Sequence, residues 1–178
     1  MPWAPTYRPV QAADGAFLLR VYASTRAEEL ALTGWDTATC DAFVQMQFNA
    51  QLSHYRHHWP QSNHSIIEVM AQGARHDVGR LWLDRRADTV HVLDIALLRP
   101  WCGRGIGSAC LLGLQRDASR RGVAVSVHVE QGNPARRLYD RLGFTPAGPL
   151  HGIHQLLSWR HDTDALASPH KETCSEQA

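Results

Sequence analysis

The period of the apolar positions changes repeatedly along the 178-residue chain, and each change marks an element. Tyr7 to Val10 reads as a short first strand. Asp14 is placed as the N-cap of a helix carrying Phe17, Leu18, Val21 and Tyr22 on one face. Thr25-Arg-Ala-Glu28 has the form of a capping box and predicts a second short helix, ended by Gly34. Val44, Phe48, Leu52 and Tyr55 at helical spacing predict a longer helix that Pro60 stops. "HSIIEVM" and "VGRLWLD" read as strands, with Gly73 and the Arg85 to Asp88 stretch as turns. Val90 to Leu98 is almost wholly apolar, the pattern of a strand buried on both faces.

A second half-pattern follows. Ile106, Cys110 and Leu114 form a helical stripe that Gly122 terminates. In "VAVSVHVE", Val123, Val125, Val127 and Val129 share one face while Ser126, His128 and Glu130 share the other. Asn133 and Pro134 suit the N-cap and first position of a helix ending at Gly143. Strands around Phe144 to Ala147 and His154 to Trp159 complete the set. Strand, glycine turn, helix, strand, helix predicts a βαβ unit with a parallel strand pair at its centre. The fold class is therefore α/β with a mixed sheet. Residues 1–160 are expected to form one domain. The polar, patternless stretch 161–178 is expected to be a disordered tail.

Composition narrows the function classes. With 44% hydrophobic and 20% charged residues and a formal charge of +1, the chain has no field to draw in nucleic acid or an anionic membrane. No apolar run approaches the length of a membrane span, and no leader pattern is visible, so a cytoplasmic location is expected. Cys40, Cys102, Cys110 and Cys174 are irregularly spaced and read as reduced thiols.

Candidate chemistry concentrates in "LRPWCGRGIGSACLL". Gly103, Gly105 and Gly107 lie between the apolar strand and a helix, where one glycine would suffice for a turn. A tight turn is one reading. A nucleotide fold is a second, but neither G-x-G-x-x-G nor G-x-x-x-x-G-K-[ST] is present. In the third, the bare backbone N–H groups of Gly103 to Ser108 meet a diphosphate at a helix N-terminus, with Arg104 and Arg99 adding charge.

The segment Cys102-Gly103-Arg104-Gly105-Ile106-Gly107 resembles the acyl-CoA-binding motif [QR]-x-x-G-x-[GA] of the GNAT superfamily of N-acetyltransferases. "NPARRLYDRLGF" (Asn133 to Phe144) resembles a second family element, one strand further on. The resemblance covers Ile66 to Trp159 well and the first sixty residues in outline. It implies a single-domain GNAT-like fold, with a mixed sheet of about six to seven strands, flanking helices and a splayed parallel pair. It further implies acetyl-CoA as cosubstrate, no metal, and direct transfer to a primary amine of a small molecule or peptide. The cofactor-binding set it implies is Ile95, Ala96, Leu97, Cys102, Gly103, Arg104, Gly105, Ile106, Gly107, Ser108, Asn133 and Ala135. Tyr139 matches the general acid, and a strand-bulge N–H near Leu97 is implied for the oxyanion. One departure stands out. Cys102 occupies a position normally Arg or Gln, which removes a contact of about 1.5–3 kcal/mol.

The base is left open among His128, Glu130, His91 and Asp94, with His128 favoured for its ordinary pKa. His54 and His58, at i and i+4, allow a zinc reading, yet no carboxylate or cysteine joins them at matching spacing, so a solvated face is expected. A non-catalytic acyl-CoA-binding sensor is the rival function, kept open by Cys102. A longer acyl donor is a third option. A homodimer is compatible with the resemblance, and the acceptor is not specified.

Overall fold

The apolar run of the sequence lies at the middle of the sheet. The computed structural model describes residues 3–161; the tail expected over 161–178 lies, from residue 162 on, outside them. In chain order the elements are β1 (Thr6–Pro9), α1 (Gly15–Leu30), α2 (Thr37–His58), β2 (Asn63–Ala71), β3 (Ala74–Arg85), β4 (Thr89–Leu97), α3 (Ile106–Arg121), β5 (Ala124–Glu130), α4 (Arg136–Arg141), β6 (Thr145–His151) and β7 (His154–Trp159). Seven strands form one sheet in the order β1-β2-β3-β4-β5-β7-β6. Only β4 and β5 pair parallel, as the βαβ pattern requires; the other pairings are antiparallel.

Helices cover both faces. On one, α3 sets Ile106, Cys110, Leu111, Leu114 and Ala118 against Val90, Val92, Val125, Val127 and Val129. Side chains as fully buried as Ile106 and Leu111 contribute about 1.5–3 kcal/mol each. On the other face, Leu18 and Tyr22 of α1 and Val44 and Phe48 of α2 pack over Ile66. The alternation in β5 therefore sends its valines to α3 and leaves Ser126, His128 and Glu130 on the opposite side.

Three local expectations are corrected. No second helix starts at Thr25: α1 runs unbroken to Leu30. The Ser24 and Thr25 hydroxyls donate to the carbonyls of Val21 and Tyr22, and Glu28, the box's fourth member, pairs with Arg99 instead. Helix α4 begins at Arg136 rather than Pro134, because the Asn133 side chain accepts from the Ala135 N–H and forms a turn ahead of it. In β4 the bulge falls at Leu93, between the pairs Trp82–Asp94 and Leu83–Val92, rather than near Leu97.

The bulge and the parallel pairing together shape the cleft. Strands β4 and β5 pair over only four positions, Thr89–Ala124 to Val92–Val127. Beyond them β4 stays with β3 as far as Leu97, while β5 stays with β7 as far as Glu130. The two strands part from Leu93 onward. Gly79 holds β3 close to the parted stretch. A Cβ there would lie 2.2 Å from the Ala96 carbonyl oxygen and 2.7 Å from Leu97 Cδ2. Replacing Gly79 with Ala is expected to cost about 1–3 kcal/mol, since backbone cannot yield as a side chain does. A melt should fall by roughly 2–4 °C per kcal/mol lost. Gly113→Ala is the contrast: a Cβ there meets nothing within 4 Å, so the helix should gain about 0.5–1 kcal/mol.

Candidate active site

The loop after β4 is built for main-chain exposure. Gly103 and Gly105 adopt φ of 71° and 85°, which side-chain-bearing residues rarely tolerate. Gly105 caps α3 without any side-chain cap. Among the described residues, the N–H groups of Gly103, Arg104, Gly105, Ile106, Gly107 and Ser108 have no partner; the first bonded one is Ala109, to the Gly105 carbonyl. Around them, the Arg104 guanidinium lies 5.3 Å over the Trp101 ring, and the Arg104 carbonyl accepts from Trp3 Nε1 at 2.6 Å. Arg99 turns away: its Nη1 is 2.5 Å from Glu28 Oε1, so it does not stand in for a motif arginine. Cys102 is an exposed free thiol turned toward the carbonyls of Leu97 and Leu98, 3.6 Å from each.

Ile95, Ala96 and Leu97 form the parted edge of β4. The Leu97 carbonyl also takes a long bond from Ser24 Oγ at 3.4 Å. Asn133 and Ala135 stand ahead of α4, joined by the Asn133 Oδ1 to Ala135 N–H bond at 2.9 Å.

Tyr139, on α4, is only 4% exposed and meets Phe144 edge-on at 5.5 Å. Its hydroxyl makes no hydrogen bond among the described residues. Burial, with a smaller push from the Asp94 carboxylate, raises its pKa to about 12, so it holds its proton throughout the neutral range.

Asp94 belongs to a buried polar group that sequence reasoning missed. Its Oδ2 lies 2.5 Å from Nε of Arg80, which is only 2% exposed as a side chain. Burial raises the Asp94 pKa, and the guanidinium opposes that rise. Arg80 Nη2 donates to Gln51 Oε1 at 2.7 Å, its charge lies 5.6 Å from the Tyr22 ring centre, and Nη1 has no partner among the described residues. Tyr55 donates to the carbonyl of Leu93, the bulged residue, at 3.1 Å. Helix α2 thus grips the bulge from one side. The one available signal was Arg80 itself, an arginine inside the apolar "VGRLWLD" run.

Across the paired end of β4 and β5 runs a chain of polar side chains. Thr89 Oγ1 and Ser126 Oγ are 3.3 Å apart, Ser126 Oγ and His91 Nδ1 2.8 Å, and His91 Nε2 and His128 Nδ1 3.3 Å. These residues line a cavity of about 360 Å³, with Trp59 and Leu156. Burial lowers the His91 pKa to about 4, helped by His128 and Arg86. Burial lowers that of His128 too, with His154 and His151 adding to it. Glu130, the other acid on this face, is exposed at the end of β5. The His54 and His58 rings lie 4.2 Å apart on α2, tilted by 35°, and the described residues contain no group of three or more His, Cys, Asp or Glu able to hold a metal. No described helix is long and apolar enough to cross a membrane.

A strand-to-helix amide loop thus lies beside a parted parallel pair, and the family comparison gives that arrangement its class, an acyltransferase. The model of the acetyltransferase (GNAT) family matches residues 33–144, and the chain belongs to that family. The PaiA N-acetyltransferase from Thermoplasma acidophilum, in complex with coenzyme A, shares the fold at TM-score 0.62 and 13% identity, over 89% of this chain and 99% of that one. An acetyltransferase from Thermus thermophilus does so at 0.59 and 20% identity, over 89% and 97%. FdhC, a nucleotide-linked sugar GNAT, does so at 0.61 and 12%, over 90% and 89%. No curated protein matches the chain significantly.

Proposed function

We propose that the protein transfers an acetyl group from acetyl-CoA directly to a primary amine on a small molecule or peptide. The observation that carries this reading is the run of six N–H groups, Gly103 to Ser108, unpartnered among the described residues, beside the stretch where β4 and β5 part. Oriented amides at a helix N-terminus suit a diphosphate, and glycines at 103 and 105 keep the approach open. The free edge at Ile95 to Leu97 would satisfy the amides of the pantetheine arm as an added strand does. Asn133, Ala135 and Cys102 are assigned to the same cofactor by the family resemblance of their motifs. Acetyl-CoA supplies an acyl group activated as a thioester.

The chain's own groups then manage protons. His128 Nε2 takes one proton from the acceptor ammonium, freeing the nitrogen lone pair. As the C–N bond replaces the C–S bond, the amine's second proton leaves to solvent. Tyr139 protonates the departing sulfur and recovers its proton from solvent, and His128 passes the proton it took to solvent, so one proton is released per turnover. Positioning of the two substrates supplies most of the acceleration.

Two measurements test the reading together: calorimetry with CoA and acetyl-CoA, and thiol release from acetyl-CoA with a panel of primary amines. Heat with both ligands and amine-dependent thiol release are expected. Heat without release from any amine would leave an acyl-CoA-binding domain and no transferase. No heat at millimolar ligand on folded protein would remove the cofactor site itself.

A further inference from the structure

We propose that Thr89, Ser126 and His91 are positioning residues that fix the tautomer of His128, leaving its Nε2 as the bare, proton-accepting nitrogen. The inference rests on the transferase reading and assigns the device that makes His128 a base.

Donor bookkeeping sets the direction of the chain. Its far end is the Ala124 carbonyl, 3.4 Å from Thr89 Oγ1, and a carbonyl can only accept. If Thr89 donates there, Ser126 can donate to Thr89 Oγ1, His91 Nδ1–H to Ser126 Oγ, and His128 Nδ1–H to His91 Nε2. All four contacts are then hydrogen bonds. Run in reverse, Ser126 spends its single proton on His91 Nδ1, and Thr89 can then keep only one of its two contacts, to Ser126 or to the Ala124 carbonyl. Pointing two ring lone pairs at each other between His91 and His128 is worse still. The forward arrangement satisfies every group, and for the buried members, His91 and Ser126, full satisfaction is favoured.

A neutral imidazole has one N–H. With Nδ1–H committed to His91, the His128 Nε2 carries the lone pair. The isolated ring has no such fixed choice, so the chain decides which nitrogen works. The device holds only while His91 is neutral, because a doubly protonated His91 has no lone pair to offer. Burial keeps it so down to about pH 4. The groups facing His128 are His91 from β4, His154 from β7, His151 from β6 and Glu130 on its own strand, with Arg86, Asp88 and Arg160 around the cavity. None is a carboxylate bonded to Nδ1. His128 therefore stays a weak base that loses its proton below the ordinary histidine value. Activity should rise with pH on an acid limb set by His128 and be flat above it.

The test is long-range nitrogen–proton NMR on the full chain at pH 8, with the His128 signals assigned by their loss in His128→Gln. Wild type should show a protonated Nδ1 and an unprotonated Nε2 at His128. Ser126→Ala removes the acceptor that orients His91, so His128 should shift toward the Nε2–H form. The kcat should fall about three- to tenfold, the factor set by the lost share of bare Nε2, with KM for acetyl-CoA unchanged. Ser126→Thr, which keeps the hydroxyl, should restore both. Wild-type His128 already in the Nε2–H form would overturn the proposal, and so would a Ser126→Ala protein with unaltered tautomer. Because the tautomer is read without turnover, an inactive protein would count against the transferase reading and not against this one.

Discussion

Tyr139→Phe is expected to lower kcat by about a hundredfold while CoA binding stays within twofold. The loss is the share a positioned general acid contributes, about 2.7 kcal/mol of barrier at 1.36 kcal/mol per decade. Folding should hardly notice. The hydroxyl has no partner among the described residues, so its removal abandons no bond, and the ring keeps its edge contact with Phe144. The pattern to look for is a fall in kcat with unchanged KM for acetyl-CoA and an unchanged melt. A variant within twofold of wild-type kcat would assign Tyr139 to packing alone. With its pKa raised to about 12, the phenol should leave no basic limb on the rate profile below pH 10.

Asp94→Ala should be the most damaging change to the fold. It strands the Arg80 guanidinium, buried under α2 with Nη1 already unpartnered and only Gln51 accepting from it. Breaking a buried pair from one side typically costs about 3–5 kcal/mol. At roughly 2–4 °C per kcal/mol, the melt should drop on the order of 10 °C. Replacing both partners with apolar residues of similar volume should recover most of that stability. If the single variant melts like wild type, the pair does not hold the bulge. The double variant separates charge burial from packing. Any remaining activity in it should be low, since Asp94 also adjoins the parted strands and acts on both Tyr139 and Tyr55.

How legible this was in the sequence depended on the range of the interaction. The β5 alternation, the stripe on α3 and the glycines at 103 and 105 are local patterns, and they mapped directly onto elements. The capping box at Thr25 was local too, but the helix begun at Gly15 continues through it, the Thr25 hydroxyl bonds back to the preceding turn, and Glu28 reaches Arg99, 71 positions away. The bulge at Leu93, the close approach at Gly79 and the Arg80–Asp94 pair depend on register between strands. Nothing in single-strand periodicity encodes register once both faces are buried. Of the site, the amide loop was visible from glycine spacing. The parting of the strands was anticipated only through family resemblance. His91 and Ser126 were visible as polar residues on a strand face, while their junction with His128 needed the parallel register of β4 and β5.

The four-position pairing of β4 and β5 makes the sheet two panels stitched along a short seam. One panel holds β1 to β4, the other β5, β7 and β6. A seam this short fixes the angle between the panels from one end only, so the width of the opposite mouth is set by residues well away from whatever fills it. His91 and Ser126 together make one of the four stitches. Aim and aperture are consequently tied: a change that tilts the panels also turns the imidazole.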